Sequence, residues 1–352
     1  MRPAKVILLG CGRVCQHYVD IINNQPNLPI SVTHVCDVNA DKAKQAASAL
    51  GCKSLSSFDD ILTIESNDFV AVLTPSGSHF EHSKRLLENG FNVLCEKPLA
   101  MTVAQCNTLV KLAEQKKCLL SVAFQNRFNP AVKYAEQLMR KNCFGNIVTA
   151  SVRLLWSRPQ EYYEDGWHGT WSNDGGVINQ QAIHHIDALQ LLLGPINIVN
   201  SRVTNRVNDL EAEDTLVAIA EADNGALVTI QATTGIRPTD VEASVNIYGD
   251  KGYIEVGGVA LNEIVRCEYE DQELKLAEIK SRYNVTVPNG YGLSHAEILR
   301  DMAKSTISGR EVPVDPASGT RATELIHALY ASDEMTSWAT VGKDVSSRLG
   351  KS

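Results

Sequence analysis

The sequence predicts an α/β chain in two parts: a doubly wound parallel sheet, then an α+β domain built on an open, mainly antiparallel sheet. Three observations carry that expectation. Apolar runs of strand length alternate with helical patterns as far as about residue 124, and such alternation implies parallel strands joined by right-handed crossovers. Beyond about residue 146, strand-like runs follow one another through short turn signals, "ADNGA" and "GDKG" among them, which favours antiparallel neighbours. With 352 residues, 44% of them hydrophobic, the chain can fill two cores. The boundary is placed at 125/126, giving domains 1–125 and 126–346.

The elements follow in order. "AKVILL", residues 4–9, reads as a buried strand and leads through "GCGRVC" into a helix from about Val14 to Asn23. "PISVTHVCD" is a second strand ending at Asp37, and "ADKAKQAASAL" is helical by propensity. "DFVAVLTPSG", a helix over 78–89, "FNVLC", a helix over 102–115 and "CLLSVAF" complete the first part. The second opens with a helix near 130–141 and a long strand, "NIVTASVRLLW". Strand-like runs follow at 196–206, 215–221, 226–233, 243–248 and 253–256, then helices in "SHAEILRDMAKSTISG" and "PASGTRATELIHALYASDEMTSW". The last six residues, "SRLGKS", are expected to fray.

A formal net charge of −8 argues against nucleic-acid and anionic-membrane partners, so an anionic ligand needs a local cationic pocket. Nine cysteines are scattered without CxxC pairing, which fits reduced thiols in a cytoplasmic protein rather than disulfides or a metal site. "MRPAKVILLG" is too short in its apolar stretch for a signal segment, and no run reaches membrane-spanning length.

Gly10, Gly12 and the small Cys15 lie between a strand and a helix. There the first glycine permits a tight turn and the second lets a pyrophosphate approach backbone amides and the positive helix end. Asp37 ends the next strand at the spacing of an acid that binds adenosine ribose hydroxyls. No arginine follows directly, and a carboxylate repels a 2′-phosphate, so NAD is expected rather than NADP.

"GCGRVC", "TPSGSHFEH" at 74–82, "CEKP" at 95–98 and "GGVINQQAIHHID" at 175–187 together resemble the Gfo/Idh/MocA family of NAD(P)-dependent sugar oxidoreductases. Within it, "QNRFNPAV", "YYEDGWHGTW" and "NQQAIHHID" are most similar to UDP-N-acetylglucosaminuronate 3-dehydrogenases. The resemblance implies a Rossmann domain and a substrate domain, oxidation of a sugar hydroxyl, and a homodimer or homotetramer. It also implies that NAD lies against Gly10, Gly12, Arg13 and Val14, against Asp37, and against Thr74, Pro75, Ser76 and His79. Glu96, Lys97 and Gln125 complete that surface.

The family's EKP lysine maps to Lys97 and its catalytic histidine to His184, three residues before Asp187. Where the family commonly has Asp or Asn, this chain has Gln180, which orients a hydroxyl but cannot titrate. Alcohol oxidation needs a base within hydrogen-bond reach of the hydroxyl. A lysine serves only if its pKa falls well below about 10.4, which burial and the positive nicotinamide ring both favour. Pro98 would fix the turn. Read as one helix, Gln180, His184, Asp187 and Leu191 share a face, so that Asp187 is positioned to orient His184.

For the substrate, Trp156, Trp167 and Trp171 cluster with Tyr162 and Tyr163 in a polar, glycine-containing loop, and flat amphipathic rings suit a sugar or uracil. Arg127, Arg153 and Arg158 are candidates for a carboxylate or diphosphate. Family analogy adds Asn129, Asn179, Asn289, Tyr291 and His295. The expected substrate is a UDP-N-acetyl-hexosaminuronic acid, oxidised at C3 for surface polysaccharide biosynthesis. Three alternatives stay open: a free-sugar or inositol dehydrogenase, an NAD-using glycosidase, and a non-catalytic NAD(H)-binding regulator.

Overall fold

A computed structural model describes residues 2–351. Two compact units partition the chain. The first runs through Gln125 and takes up Leu293–Thr320 again; the second comprises Asn126–Gly292 and the segment from Arg321 onward.

The first unit follows the βα alternation of its sequence: β1 (Ala4–Leu9), α1 (Arg13–Asn24), β2 (Ile30–Cys36), α2 (Ala40–Leu50), β3 (Lys53–Leu55), α3 (Phe58–Leu62), β4 (Phe69–Val72), α4 (His79–Glu88), β5 (Val93–Cys95), α5 (Val103–Lys116) and β6 (Leu120–Val122). The sheet order is β3-β2-β1-β4-β5-β6, with every pair parallel. Phe69, Val70, Ala71 and Val72 of β4 are all fully buried, as expected of a strand covered on both faces. Each larger side chain there contributes on the order of 2 kcal/mol. The order reverses between β1 and β4, and open sheets of this kind bind ligands at the carboxyl ends of the strands beside that reversal.

The second unit contains α6 (Pro130–Arg140), β7 (Ile147–Leu155), α7 (Val177–Gln180), α8 (Ile183–Leu193), β8 (Ile196–Thr204), β9 (Thr215–Ala222), β10 (Leu227–Thr233), β11 (Glu242–Gly249), β12 (Gly252–Gly257), β13 (Glu263–Tyr269) and α9 (Leu276–Tyr283). The chain then forms α10 (His295–Ser308), α11 (Pro316–Met335) and β14 (Ala339–Thr340). The large sheet runs β13-β12-β11-β7-β10-β9-β8-β14, antiparallel except for the β7–β10 pair. In β9, Leu216, Ala218, Ala220 and Ala222 point into the core while Val217 and Ile219 are about half exposed, so one face of the sheet is covered and one is open.

Three expectations change. Residues 293–320 belong with the first unit, not the second: Ile298, Leu299 and Met302 of α10 are fully buried, and the helix packs on α1, β1 and β2. Periodicity reveals such an apolar face but not its partner. As far as Lys351 the tail does not fray, because Leu349 is fully buried, Ser347 bonds the His327 ring at 2.8 Å, and the Gly350 amide donates to the Trp171 carbonyl; Ser352 lies outside the described residues. The helix expected after Gly176 is two helices. The Val177 carbonyl accepts from both Gln181 and Ala182 amides, which widens the turn by one residue and separates α7 from α8.

Candidate active site

Gly10 closes β1 with φ +99°, and a Cβ there would stand 2.8 Å from the Leu73 carbonyl and the Thr74 nitrogen. Only glycine permits that approach, which brings the ends of β1 and β4 together. Beyond it, α1 starts from Gly12 with no side-chain cap, and the space where a Gly12 Cβ would be is open. Asp37 is held ready, accepting from the Cys11 and Asn39 amides at 2.7 Å each. The adjacent Val38 is 94% exposed. Gln125, three residues beyond β6, is 1% exposed, and its side-chain oxygen has no hydrogen-bond partner among the described residues. Uncapped amides, a carboxylate, an apolar rim residue and an orphaned amide oxygen fit a dinucleotide.

The CEKP turn follows β5, whose three residues are fully buried. Glu96 is buried, accepts from the Tyr18 hydroxyl at 2.9 Å and the Lys97 amide at 3.2 Å, and lies 3.4 Å from His295 Nε2. Burial opposes its ionisation, but His295, Lys97 and Tyr18 together hold its pKa down at about 2. Burial, then the neighbouring His295, pushes His17 down to about 4. Lys97 is half-buried, and its peptide bond to Pro98 is cis. His79, the first residue of α4, sits beneath this turn with Nδ1 2.7 Å from the Pro98 carbonyl oxygen and Nε2 2.8 Å from that of Thr74. Arg13 and Pro75 are exposed, Val14 is half-buried, and Ser76 is buried.

In the second unit, His184 is half-buried as the second residue of α8, whereas Gln180 is buried at the end of α7. Asp187 receives the Arg127 guanidinium through two bonds of 2.7 and 2.5 Å. Its carboxylate is thus bridged to Arg127, and Arg127's fork is engaged within the unit. His185 is 1% exposed, and burial pushes it down to about 4. Asn179 donates to the Asp174 carbonyl at 2.6 Å and Asn129 to the carbonyl of Ala260 at 2.5 Å.

The aromatic loop builds a cluster of its own. Trp167 stacks on His168 at 3.7 Å, Tyr162 lies 4.7 Å from the same imidazole, and His168 bonds Asp165 at 2.7 Å. Tyr163 is buried, with its hydroxyl 2.8 Å from that of Thr234. Arg158 lies over Trp156 and pairs with Asp240, Arg153 pairs with Glu242, Trp171 packs edge-on against Tyr330, and Tyr291 is exposed.

Sequence reasoning missed what holds α7. Glu213 is fully buried below it, accepting from the Ile178 amide at 3.1 Å and the Tyr330 hydroxyl at 2.9 Å. A Cβ on Gly176 would stand 2.1 Å from the Glu213 carbonyl oxygen. Burial raises the Glu213 carboxyl to about 7, against the bonds it accepts from the Ile178 amide and the Tyr330 hydroxyl. The signal was faint: an acidic "EAED" run directly before a strand.

The parallel sheet, the glycine turn and the poised Asp37 define an NAD-binding oxidoreductase of the Rossmann class. Two family profiles match, "Oxidoreductase family, NAD-binding Rossmann fold" over residues 4–124 and "Oxidoreductase family, C-terminal alpha/beta domain" over residues 136–341. The chain belongs to the Gfo/Idh/MocA family and is an NAD-dependent oxidoreductase. It is similar to the WlbA dehydrogenase of Chromobacterium violaceum, solved with NADH and UDP-GlcNAcA: 31% identity, 98% of this chain and 97% of that one, TM-score 0.90. WlbA of Bordetella pertussis, solved with the same pair, is 28% identical over 97% of this chain and 99% of that one, TM-score 0.86. The D-glucoside 3-dehydrogenase of Escherichia coli is 25% identical over 71% of this chain and 76% of its own.

Proposed function

We propose that the protein oxidises the C3 hydroxyl of a UDP-N-acetyl-hexosaminuronic acid to the 3-keto sugar, with Lys97 and His184 handling the proton. The observation that carries this reading is Lys97, a half-buried amine on a buried strand end at the carboxyl edge of the dinucleotide sheet. Likeness to two WlbA enzymes along nearly the whole chain supports the substrate class. Bound NAD⁺ supplies the hydride acceptor. The uncharged Lys97 amine takes the proton of the C3 hydroxyl as the carbonyl forms. His184 hydrogen-bonds the same oxygen, and Gln180 orients the sugar without titrating. Asn179 and Asn129, with Tyr291 and the aromatic loop residues Tyr163, Trp167 and Trp171, shape the sugar site, with Arg158 toward its anionic groups and Arg127 holding α8 beside it through Asp187. The role belongs to surface polysaccharide biosynthesis in the cytoplasm, and the half-exposed Val217 and Ile219 support a homo-oligomer. Among the described residues, no helix is long and apolar enough to cross a membrane.

Similarity to the D-glucoside 3-dehydrogenase favours a second reading, oxidation of a free sugar. Incubation with NAD⁺ and a panel of UDP-sugars, free sugars and inositols, followed by NADH absorbance and product analysis, separates the two. Reduction with UDP-N-acetylglucosaminuronate alone is the expected result. Free sugar released without net NADH would point to a glycosidase, and NAD binding with no turnover on any sugar would point to a regulator. Lys97→Met is expected to lower kcat by at least a hundredfold, in the range of general-base catalysis; unchanged turnover would remove Lys97 from the mechanism.

A further inference from the structure

We infer that His79 is a doubly protonated imidazole that ties the Thr74 turn to the Lys97–Pro98 turn and, as a buried cation, helps keep Lys97 uncharged. The second clause rests on the reading of Lys97 as base; the first does not.

The geometry is specific. His79 is 1% exposed, and its two ring nitrogens face two carbonyl oxygens, Pro98 at 2.7 Å and Thr74 at 2.8 Å. A carbonyl oxygen only accepts, and a neutral imidazole donates from one nitrogen alone. In either tautomer one contact would press a bare nitrogen lone pair against an oxygen lone pair, at a distance reached only by true hydrogen bonds. The cationic ring donates to both and satisfies both. Neither nitrogen is left for a ligand, so His79 acts on the dinucleotide only through the turns it joins. It is a positioning residue.

The charges around it are Glu96 and Lys97 on the turn after β5, and His82 one turn along α4, whose Nδ1 lies 3.0 Å from the Thr74 hydroxyl. Burial lowers the His79 pKa and a charge on Lys97 would add to that lowering, while the two carbonyls and the Glu96 carboxylate oppose the loss of charge. Glu96 stays ionised across the working pH range and so serves as counter-charge. The two short donor contacts outweigh burial, because losing the proton would turn one of them repulsive. A fixed positive charge behind the Pro98 carbonyl disfavours a second one on the neighbouring lysine. His79 would thereby supply part of the depression that a lysine base needs.

Full-length protein with ¹⁵N-labelled histidine, assigned by comparison with His79→Asn, tests the protonation directly. Both His79 ring nitrogens are expected to resonate as protonated from about pH 6 to about pH 8. One protonated and one bare nitrogen at neutral pH would overturn the assignment, whatever the enzyme acts on. Two variants test the consequence. His79→Asn keeps a donor in the place of Nδ1, toward Pro98; His79→Gln keeps one in the place of Nε2, toward Thr74; neither carries charge. With unfolding curves confirming the fold, the acidic limb of log kcat against pH is expected to move up by about one unit in both, roughly a tenfold loss at neutral pH. A limb that stays in place in both would sink the link to Lys97. A Lys97→Met enzyme with full activity would sink the base reading itself and leave the nitrogen spectra to judge His79 alone.

Discussion

Two buried carboxylates show how burial alone does not decide a charge. Glu96 and Glu213 are 5% and 2% exposed, yet their pKa values part in opposite directions. Glu96 has His295 and Lys97 beside it and falls to about 2. Glu213 has an amide, a phenol and the like-charged neighbour Asp214, and rises to about 7. For Glu96, depressed below its ordinary 4.5, the stabilisation is full above about pH 4.5 and lost as pH falls through about 2. For Glu213, raised above 4.5, the folded state is penalised as pH climbs from about 4.5 to about 7, by roughly 3 kcal/mol at most. Glu213→Gln, which cannot ionise, is therefore expected to gain stability over the wild type at pH 8 relative to pH 5. Urea unfolding at the two values measures this, and an equal difference at both would contradict the raised pKa. Glu96→Gln is expected to lose stability at pH 7, because it gives up the charge-assisted bonds its carboxylate accepts from the Tyr18 hydroxyl and the Lys97 amide and its contact with the His295 ring.

At the scale of elements, what could be read from the sequence was whatever is local. The βα alternation, the glycine turn and the lysine set against an apolar strand all show within a few residues, and all appear where expected. β3 and β14, three and two residues long, carry too little pattern to be seen. The break between α7 and α8 was illegible for another reason. Gln180, His184 and Asp187 keep helical spacing, but the turn at Gln181–Ala182 is set by groups distant in sequence: Glu213 below α7 and the Tyr330 hydroxyl, which accepts from the Gly176 amide at 3.2 Å. Likewise Asp187 reads as a partner for His184, whereas Arg127, from before α6, takes it bidentately. The site helices thus depend on this buried support. Gly176→Ala forces a methyl to within about van der Waals overlap of the Glu213 carbonyl, so α7 must move. Since a misplacement of about 1 Å costs on the order of a hundredfold in rate, kcat/KM is expected to fall that far with helical content and NAD affinity unchanged. A Gly176→Ala enzyme with wild-type kinetics would show that α7 does not position the chemistry.

Across the whole chain, the dinucleotide unit is completed from far along the sequence. Helix α10 brings His295 to Glu96 and Ala296 to the Ile21–Leu28 cluster, and the Ser121 hydroxyl donates to the Val314 carbonyl at 2.9 Å while accepting from its amide. A cut at residue 125, natural from the sequence, would strip all of these. Ile298, Leu299 and Met302 each bury on the order of 2 kcal/mol of apolar side chain, and the total rivals the 5–15 kcal/mol that keeps a typical domain folded. A fragment ending at Gln125 is therefore expected to be unfolded or to melt far below the same fragment joined to 293–320 by a flexible linker. The joined form is expected to bind NAD as the full chain does, because Gly10, Gly12, Asp37 and Gln125 need nothing beyond it. Calorimetry and NAD titration of the two fragments decide the matter: equal melting temperatures would mean that α10 only decorates the unit, and a joined fragment that folds without binding NAD would mean that the dinucleotide draws on residues outside it.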